Sequence, residues 1–76
     1  MATYTTTVTV RYSSGQPARQ AKVVLHIYMG GMTRPVYTNN DGVAQIGHDS
    51  FGTATIYVNG TKHGTVSPNG SAQVIL

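Results

Sequence analysis

The chain has 76 residues, enough for one domain spanning residues 1–76, near the lower size limit of domains that fold unaided. It has no cysteine and only two acidic residues, which excludes disulfide bonds, thiolate metal sites, a thiol nucleophile and a multi-carboxylate calcium site. Charged residues make up 9% of the chain, against about 25% in an average domain, and the formal net charge is +3.

The N-terminal half alternates apolar and polar residues with the period of two that is typical of β-strands. β-Branched residues dominate it, and their branch crowds a helical turn but suits a pleated strand. Three strands are predicted here, over residues 3–12, 20–29 and 33–38. Gly15 and Pro17 mark the first loop, and Gly30-Gly31 marks the next turn. Pro35 has no amide donor, so we expect the third strand at a sheet edge.

The C-terminal half continues the pattern between turns that contain glycine. Asp41-Gly42, Asn59-Gly60 and Asn69-Gly70 indicate turns because these residue types accept a positive φ. Four more strands are predicted, over residues 43–47, 53–58, 61–66 and 71–76, with Phe51 in a loop between the first two. No stretch has the period of an amphipathic helix. The chain is therefore predicted to be all-β, an antiparallel Greek-key β-sandwich of about seven strands.

The same alternation predicts which side chains form the interior. The expected core residues are Val8, Val10, Ala21, Val23, Leu25, Ile27, Ala44, Ile46, Ala54, Ile56, Val58, Ala72, Val74 and Leu76, with Tyr4 and Tyr12 on the same side of the first strand. The interior is thus aliphatic and built mostly from small or β-branched residues.

The order of short motifs resembles the carboxypeptidase regulatory-like domains, which belong to the transthyretin-like (prealbumin-like) sandwiches. The motifs are Val8-Thr9-Val10, Gly15-Gln16-Pro17-Ala18, Ala21-Lys22-Val23-Val24-Leu25, Thr38-Asn39-Asn40-Asp41-Gly42-Val43-Ala44-Gln45-Ile46 and Gly52-Thr53-Ala54-Thr55-Ile56-Tyr57-Val58. The resemblance covers about residues 8 to 76 and implies a transthyretin-like or immunoglobulin-like sandwich. Ala44 and Ala54 stand where the family usually has larger core residues, which implies a smaller core or a neighbour that fills the gap.

No catalytic, cofactor or metal site is predicted. The three histidines, His26, His48 and His63, have no close spacing, whereas zinc needs three or four converging ligands. Ser50 lies near His48 and Asp49, but neighbours on an extended chain point apart, so a nucleophile with its base is not expected. The chain is expected not to be an enzyme.

Charge and hydropathy argue against nucleic acid and membrane as partners. The five cationic residues are scattered, without the dense basic stripe that neutralises phosphates, and no apolar run approaches the length of a membrane span. The first residues do not have the pattern of a secretory signal. The compartment stays open, although the family resemblance favours a secreted or cell-envelope setting for a module of a larger protein.

The most informative feature is an outward face with few polar residues. Val24, His26 and Tyr28 alternate with the inward residues of the second strand, and Tyr37 and Tyr57 are expected on the same side. Tyrosine combines contact area with a polar tip, which suits both protein interfaces and sugar platforms. The face either docks a partner or forms the second side of a two-faced core.

These patterns favour a non-catalytic structural or protein-interaction module. Self-association is also expected, through the edge containing Pro35 or through the last strand, because few charges protect the threonine-rich edges. The alternative function is a carbohydrate- or ligand-binding module that uses the aromatic residues of this face, Tyr28, Tyr37 and Tyr57, together with His26.

Overall fold

The computed structural model describes residues 4–28, 30–48, 52–67 and 70–76. Within these ranges all regular secondary structure is β-strand, which confirms the all-β class. The strands are β1 (Tyr4–Arg11), β2 (Lys22–Ile27), β3 (Gly31–Met32), β4 (Val36–Tyr37), β5 (Val43–His48), β6 (Ala54–Val58), β7 (Thr61–Val66) and β8 (Ser71–Ile75). In the same ranges, no helix is long and apolar enough to cross a membrane.

The strands form two sheets. The small sheet has the order β5-β1-β8, and the large sheet has the order β3-β2-β6-β7, with β4 also paired to β2. All pairs are antiparallel except β1 and β8, which run parallel. The prediction of a purely antiparallel fold is therefore wrong at β8. This strand follows a connection from the large sheet to the small one, and a connection between sheets does not force the reversal that a hairpin does.

The predicted third strand is divided into β3 and β4, which raises the strand count to eight in the described ranges. β3 pairs with the end of β2 and β4 with its start. Between them, Thr33 donates its amide to the Leu25 carbonyl at 2.8 Å and accepts the Leu25 amide with its hydroxyl at 3.0 Å. Pro35 cannot donate to a ladder, so the segment is held at an edge of the sheet by short pairings and one side chain.

The ends of several predicted strands differ by one or two residues. β2 begins at Lys22 because Gln20 adopts a positive φ of 53° and its amide binds the Thr38 carbonyl at 3.0 Å. Gly31, predicted as part of a turn, belongs to β3. Several predicted features lie outside the described residues, namely those at Thr3, Met29, Asp49, Ser50, Phe51 and Asn69.

One aliphatic core lies between the sheets. Its buried members are Val8, Val10, Ala18, Ala21, Val23, Leu25, Ile27, Ala44, Ile46, Ala54, Ile56, Val58, Val66 and Val74. Most were predicted, but Tyr12 is 48% exposed because a turn follows β1, with the Gly15 amide donating to the Tyr12 carbonyl. Leu76 is also exposed, and Tyr4 and Ala72 are half-buried. Thr6 was not predicted to be in the core, yet it is fully buried there.

Candidate interaction face

β2 places alternate side chains on the core and on the open side of the large sheet. Val23, Leu25 and Ile27 are buried, whereas His26 is exposed and Val24 half-buried. The ladder continues one residue past β2, because the Tyr28 amide donates to the Thr53 carbonyl at 2.9 Å. Tyr28 therefore keeps the outward side of the alternation and is 75% exposed.

Neighbouring strands bring the other predicted residues to this side. Tyr57 of β6 lies directly opposite Val24, and Tyr37 of β4 lies opposite Lys22. Tyr37 is 60% exposed, so it does not belong to a second core. Val24 and Tyr57 are half-buried because each covers part of the other at the centre of the sheet.

Met32 belongs to the same surface, although the sequence did not indicate it. It lies in β3 opposite His26 and is 65% exposed. Its position follows from the pairing of a two-residue strand, which no periodicity signals. We call Val24, His26, Tyr28, Met32, Tyr37 and Tyr57 together the tyrosine face. From the level of Lys22 to Tyr28 it extends about 20 Å along β2, at about 3.3 Å for each residue.

The charges beside the tyrosine face are positive. Lys22 lies opposite Tyr37, and Lys62 of β7 lies opposite Tyr57. Asp41 has the only acidic side chain in the described part of the chain, and it precedes β5 of the small sheet. The face therefore combines aromatic and apolar surface with a cationic border.

The outer face of the small sheet is different in character. Its outward residues are mostly polar, as the alternation and register of the three strands place them: Thr5, Thr7, Thr9, Gln45, Ser71 and Gln73, with Val43, Arg11 and Ile75 nearer the ends. In the described part of this sheet, large exposed apolar side chains lie only at strand ends, at Tyr12 after β1 and at Ile75 and Leu76 at the end of β8. An extended aromatic surface thus distinguishes one sheet from the other.

The three histidines occupy separate environments. His26 is on the tyrosine face, and His63 is half-buried in β7. The Nε2 atom of His48 lies 2.8 Å from the Thr6 hydroxyl, and its ring stacks on Tyr4 with centroids 5.8 Å apart. Within the described ranges, no three His, Cys, Asp or Glu residues are grouped as metal ligands would be. Ser50 and Asp49, where no nucleophile with its base is expected, lie outside those ranges.

A cleft of about 340 Å³ opens beside the tyrosine face, between the β3–β4 segment and β5. Ile27, Val36 and Ile46 contribute apolar wall, and Arg34 and His48 contribute polar groups. Met32 lines the cleft and also belongs to the tyrosine face, so the two features are continuous.

Comparisons with known proteins inform the fold alone. No family model matches the chain, and no curated protein matches it. A solved structure titled "The Bacillus anthracis TIE protein" is similar, with a TM-score of 0.66 and 13% sequence identity. The similarity covers 99% of this chain and 16% of that chain, so the present chain spans a small part of that protein's length.

Proposed function

We propose that this chain is a non-catalytic protein-interaction module that docks a partner protein on the tyrosine face. The observation that carries the proposal is the exposure of Tyr28, Met32 and Tyr37 together on one side of one sheet. Contiguous exposed apolar surface is uncommon on isolated domains and marks interaction sites. Tyr and Met are also enriched at the centres of protein interfaces.

The charge pattern indicates the partner's chemistry. Lys22 and Lys62 border the tyrosine face, and the chain has a net charge of +3. A partner with an apolar or aromatic centre and an acidic rim would complement both features, and opposite charges would speed the encounter. Two copies of the face would instead bring lysines together, so we expect a different protein here and not a second copy.

The non-catalytic part of the proposal draws on how the polar residues are used. His48 is committed to Thr6 and Tyr4, and His26 stands on an open sheet face. A nucleophile needs an activating base held by a third group, whereas the hydroxyl that His48 contacts belongs to Thr6, a buried residue of the core.

The second candidate function is carbohydrate binding on the same face. Tyrosine rings offer flat apolar area with a hydroxyl at the tip, which suits the faces and edges of sugars. The cleft next to Met32 would add a boundary for such a ligand. This alternative requires glycans, and not a protein surface, to contact Tyr28, Tyr37 and Tyr57.

We also propose that the sandwich has Greek-key topology and belongs with the carboxypeptidase regulatory-like, transthyretin-like domains. The strand orders β5-β1-β8 and β3-β2-β6-β7 support this, since successive strands change sheet repeatedly. The resemblance would place the module in a larger secreted or cell-envelope protein, where it would act as a spacer or scaffold that also carries the docking face.

The proposal is tested with matched lysine substitutions on the two sheets. Tyr28→Lys places a charge at the exposed end of the tyrosine face, and Gln45→Lys places one at an exposed site of the small sheet. We expect a protein cross-linked to the wild-type chain in its native extract to be lost with Tyr28→Lys and retained with Gln45→Lys. The purified partner should then bind with the same selectivity.

A glycan array probed with the same three proteins separates the two functions. Binding of a glycan by the wild type and Gln45→Lys, but not by Tyr28→Lys, would favour the carbohydrate function. In the cross-linking experiment, equal capture of every protein by the wild type, Tyr28→Lys and Gln45→Lys would contradict a docking role for the tyrosine face.

A further inference from the structure

β8 leaves one of its two edges unpaired in the described part of the chain. On the β1 side, the Gly70 carbonyl accepts the Thr7 amide at 3.1 Å, and the Leu76 amide donates to the Arg11 carbonyl at 2.7 Å. The backbone amides and carbonyls of the even-numbered residues of β8 therefore face β1. Those of Ser71, Gln73 and Ile75 point to the open side. All three residues are exposed.

The other sheet edges have features that oppose strand addition. β3 and β4 are two residues long and are separated by Pro35. β7 carries Lys62, a register shift in its pairing with β6, and Gly64 at a φ of 117°. Charge, proline and irregular backbone are the usual protections of an edge strand.

β5 is protected at its start by Asn39. The Val43 carbonyl accepts the Asn39 amide at 3.0 Å, and the Val43 amide donates to the Asn39 side-chain oxygen at 3.1 Å. β8 has no charged residue, no proline and no register shift. It is the edge in the described ranges that best accepts another strand.

We propose that β8 pairs antiparallel with β8 of a second copy of this chain, about a two-fold axis at Gln73. In this register Gln73 lies opposite its own copy, and Ser71 lies opposite Ile75 of the partner. Each of these pairs exchanges two backbone hydrogen bonds, so every open amide and carbonyl of the three residues is satisfied. The two small sheets then form one continuous sheet.

Side chains and charge favour a second copy as the occupant. The register places Ala72 opposite Val74 of the partner on the inner side, where Val74 is buried and Ala72 half-buried, so the apolar interior continues across the axis. Because β8 is uncharged, two chains of net charge +3 do not meet there through like charges. A register that repeats itself under a two-fold axis is the requirement for an isologous dimer.

This dimer would leave the tyrosine face free, because β8 belongs to the small sheet and the tyrosine face to the large one. The inference therefore goes beyond the proposed function and does not depend on it. A dimer would carry two tyrosine faces, which would raise the avidity for a partner that presents two sites.

Sedimentation over a concentration series tests the pairing. A single strand pair buries less area than a standard stable interface, so we expect a dimer with a dissociation constant on the order of 100 µM. Gln73→Lys places like charges on the axis and should weaken the dimer at least about tenfold. Gln45→Lys, the same change at the edge strand on the other side of the small sheet, should leave it unaltered.

Mixing opposite charges gives the decisive arm of the experiment. Gln73→Lys and Gln73→Glu should each be monomeric alone and should form a mixed dimer together. A wild-type chain that stays monomeric to about 1 mM would overturn the proposal. So would a dimer that is lost with Gln45→Lys or Tyr28→Lys but not with Gln73→Lys.

A disulfide provides a direct test of the register. The chain has no cysteine, so Gln73→Cys introduces a single thiol. Opposed residues of a hydrogen-bonded antiparallel pair have Cα atoms about 5.5 Å apart, which is within the range for a disulfide. Gln73→Cys should form a covalent dimer under mild oxidation at a rate well above that of Gln45→Cys. Equal rates for the two variants would overturn the register.

Discussion

Gly42 lies directly against the main chain of Val10. Its carbonyl oxygen accepts the Val10 amide at 2.7 Å, and the Val10 carbonyl in turn accepts the Ala18 amide at 2.9 Å. A Cβ atom at position 42 would overlap the Val10 carbonyl oxygen and would also press on the Ala18 amide and on Pro17. With a φ of 76°, Gly42 is required both for its conformation and for the space it leaves.

Gly42→Ala should therefore destabilise the fold by far more than the cost of placing alanine at a positive φ. Gly60→Ala is the matched control, because Gly60 has a φ of 86° and open space where its Cβ would lie. We expect a loss of about 1 kcal/mol for Gly60→Ala and of about 3 kcal/mol or more for Gly42→Ala in chemical denaturation. Equal losses would mean that the Val10 contact has no energetic effect.

The buried hydroxyl of Thr38 should contribute more to the free energy of unfolding than that of Thr6. Thr38 accepts the Ala21 amide at 2.9 Å and donates to the Ala18 carbonyl, so Thr38→Val would leave two backbone groups without this partner in a buried corner. We expect a loss of about 2 kcal/mol in the free energy of unfolding.

Thr6→Val is the comparison at a site of similar size and burial. The partner of the Thr6 hydroxyl is the half-buried His48 side chain and not a buried backbone group, so we expect a smaller penalty when this contact is lost. Denaturant titration should therefore show a change below about 1 kcal/mol for Thr6→Val. A larger loss at Thr6 than at Thr38 would show that the His48 contact is the more important of the two.

Gln20→Gly is expected to stabilise the protein. Gln20 is exposed and holds a φ of 53°, which costs a residue with a side chain about 1 kcal/mol or more. Glycine removes that strain but gives the unfolded chain more freedom, so the net gain should be about 0.5 kcal/mol. Gln16 is an exposed loop residue without a positive φ, so Gln16→Gly should only lower the stability, through the greater freedom of the unfolded chain. Thermal unfolding of both variants measures the difference.

The alternation of apolar and polar residues in the sequence predicts which side chains of a strand lie in the core and which lie on the open side. It predicts Val23, Leu25 and Ile27 in the core and Tyr28 on the open side, as the structure has them, because side chains on a strand change face at every residue. Alternation contains no information on strand direction, so it gave no sign that β8 runs parallel to β1. Alternation also stops where a strand stops, and because β1 ends at Arg11, Tyr12 is exposed and does not lie on the core side as the pattern predicts.

Pairings between distant segments account for the remaining differences. Met32 reaches the tyrosine face only because β3 pairs with His26, and Thr6 is buried in the core where it meets His48, 42 residues away along the chain. Such contacts depend on tertiary packing, which overrides the local preference of a threonine for a solvated face. A polar residue at an inward position was the available signal for Thr6, and it predicts a partner without identifying it.

Tyr28 and Tyr57 should respond differently to removal, although both belong to the tyrosine face. Tyr28 is 75% exposed, so Tyr28→Lys should change the free energy of unfolding by less than about 0.5 kcal/mol. Tyr57 lies half-buried opposite Val24, and a double-mutant cycle with Tyr57→Ala and Val24→Ala should give a coupling of about 0.5–1 kcal/mol. Unfolding of Tyr28→Lys would mean that Tyr28 belongs to a core, and the tyrosine face would then not be available to a partner.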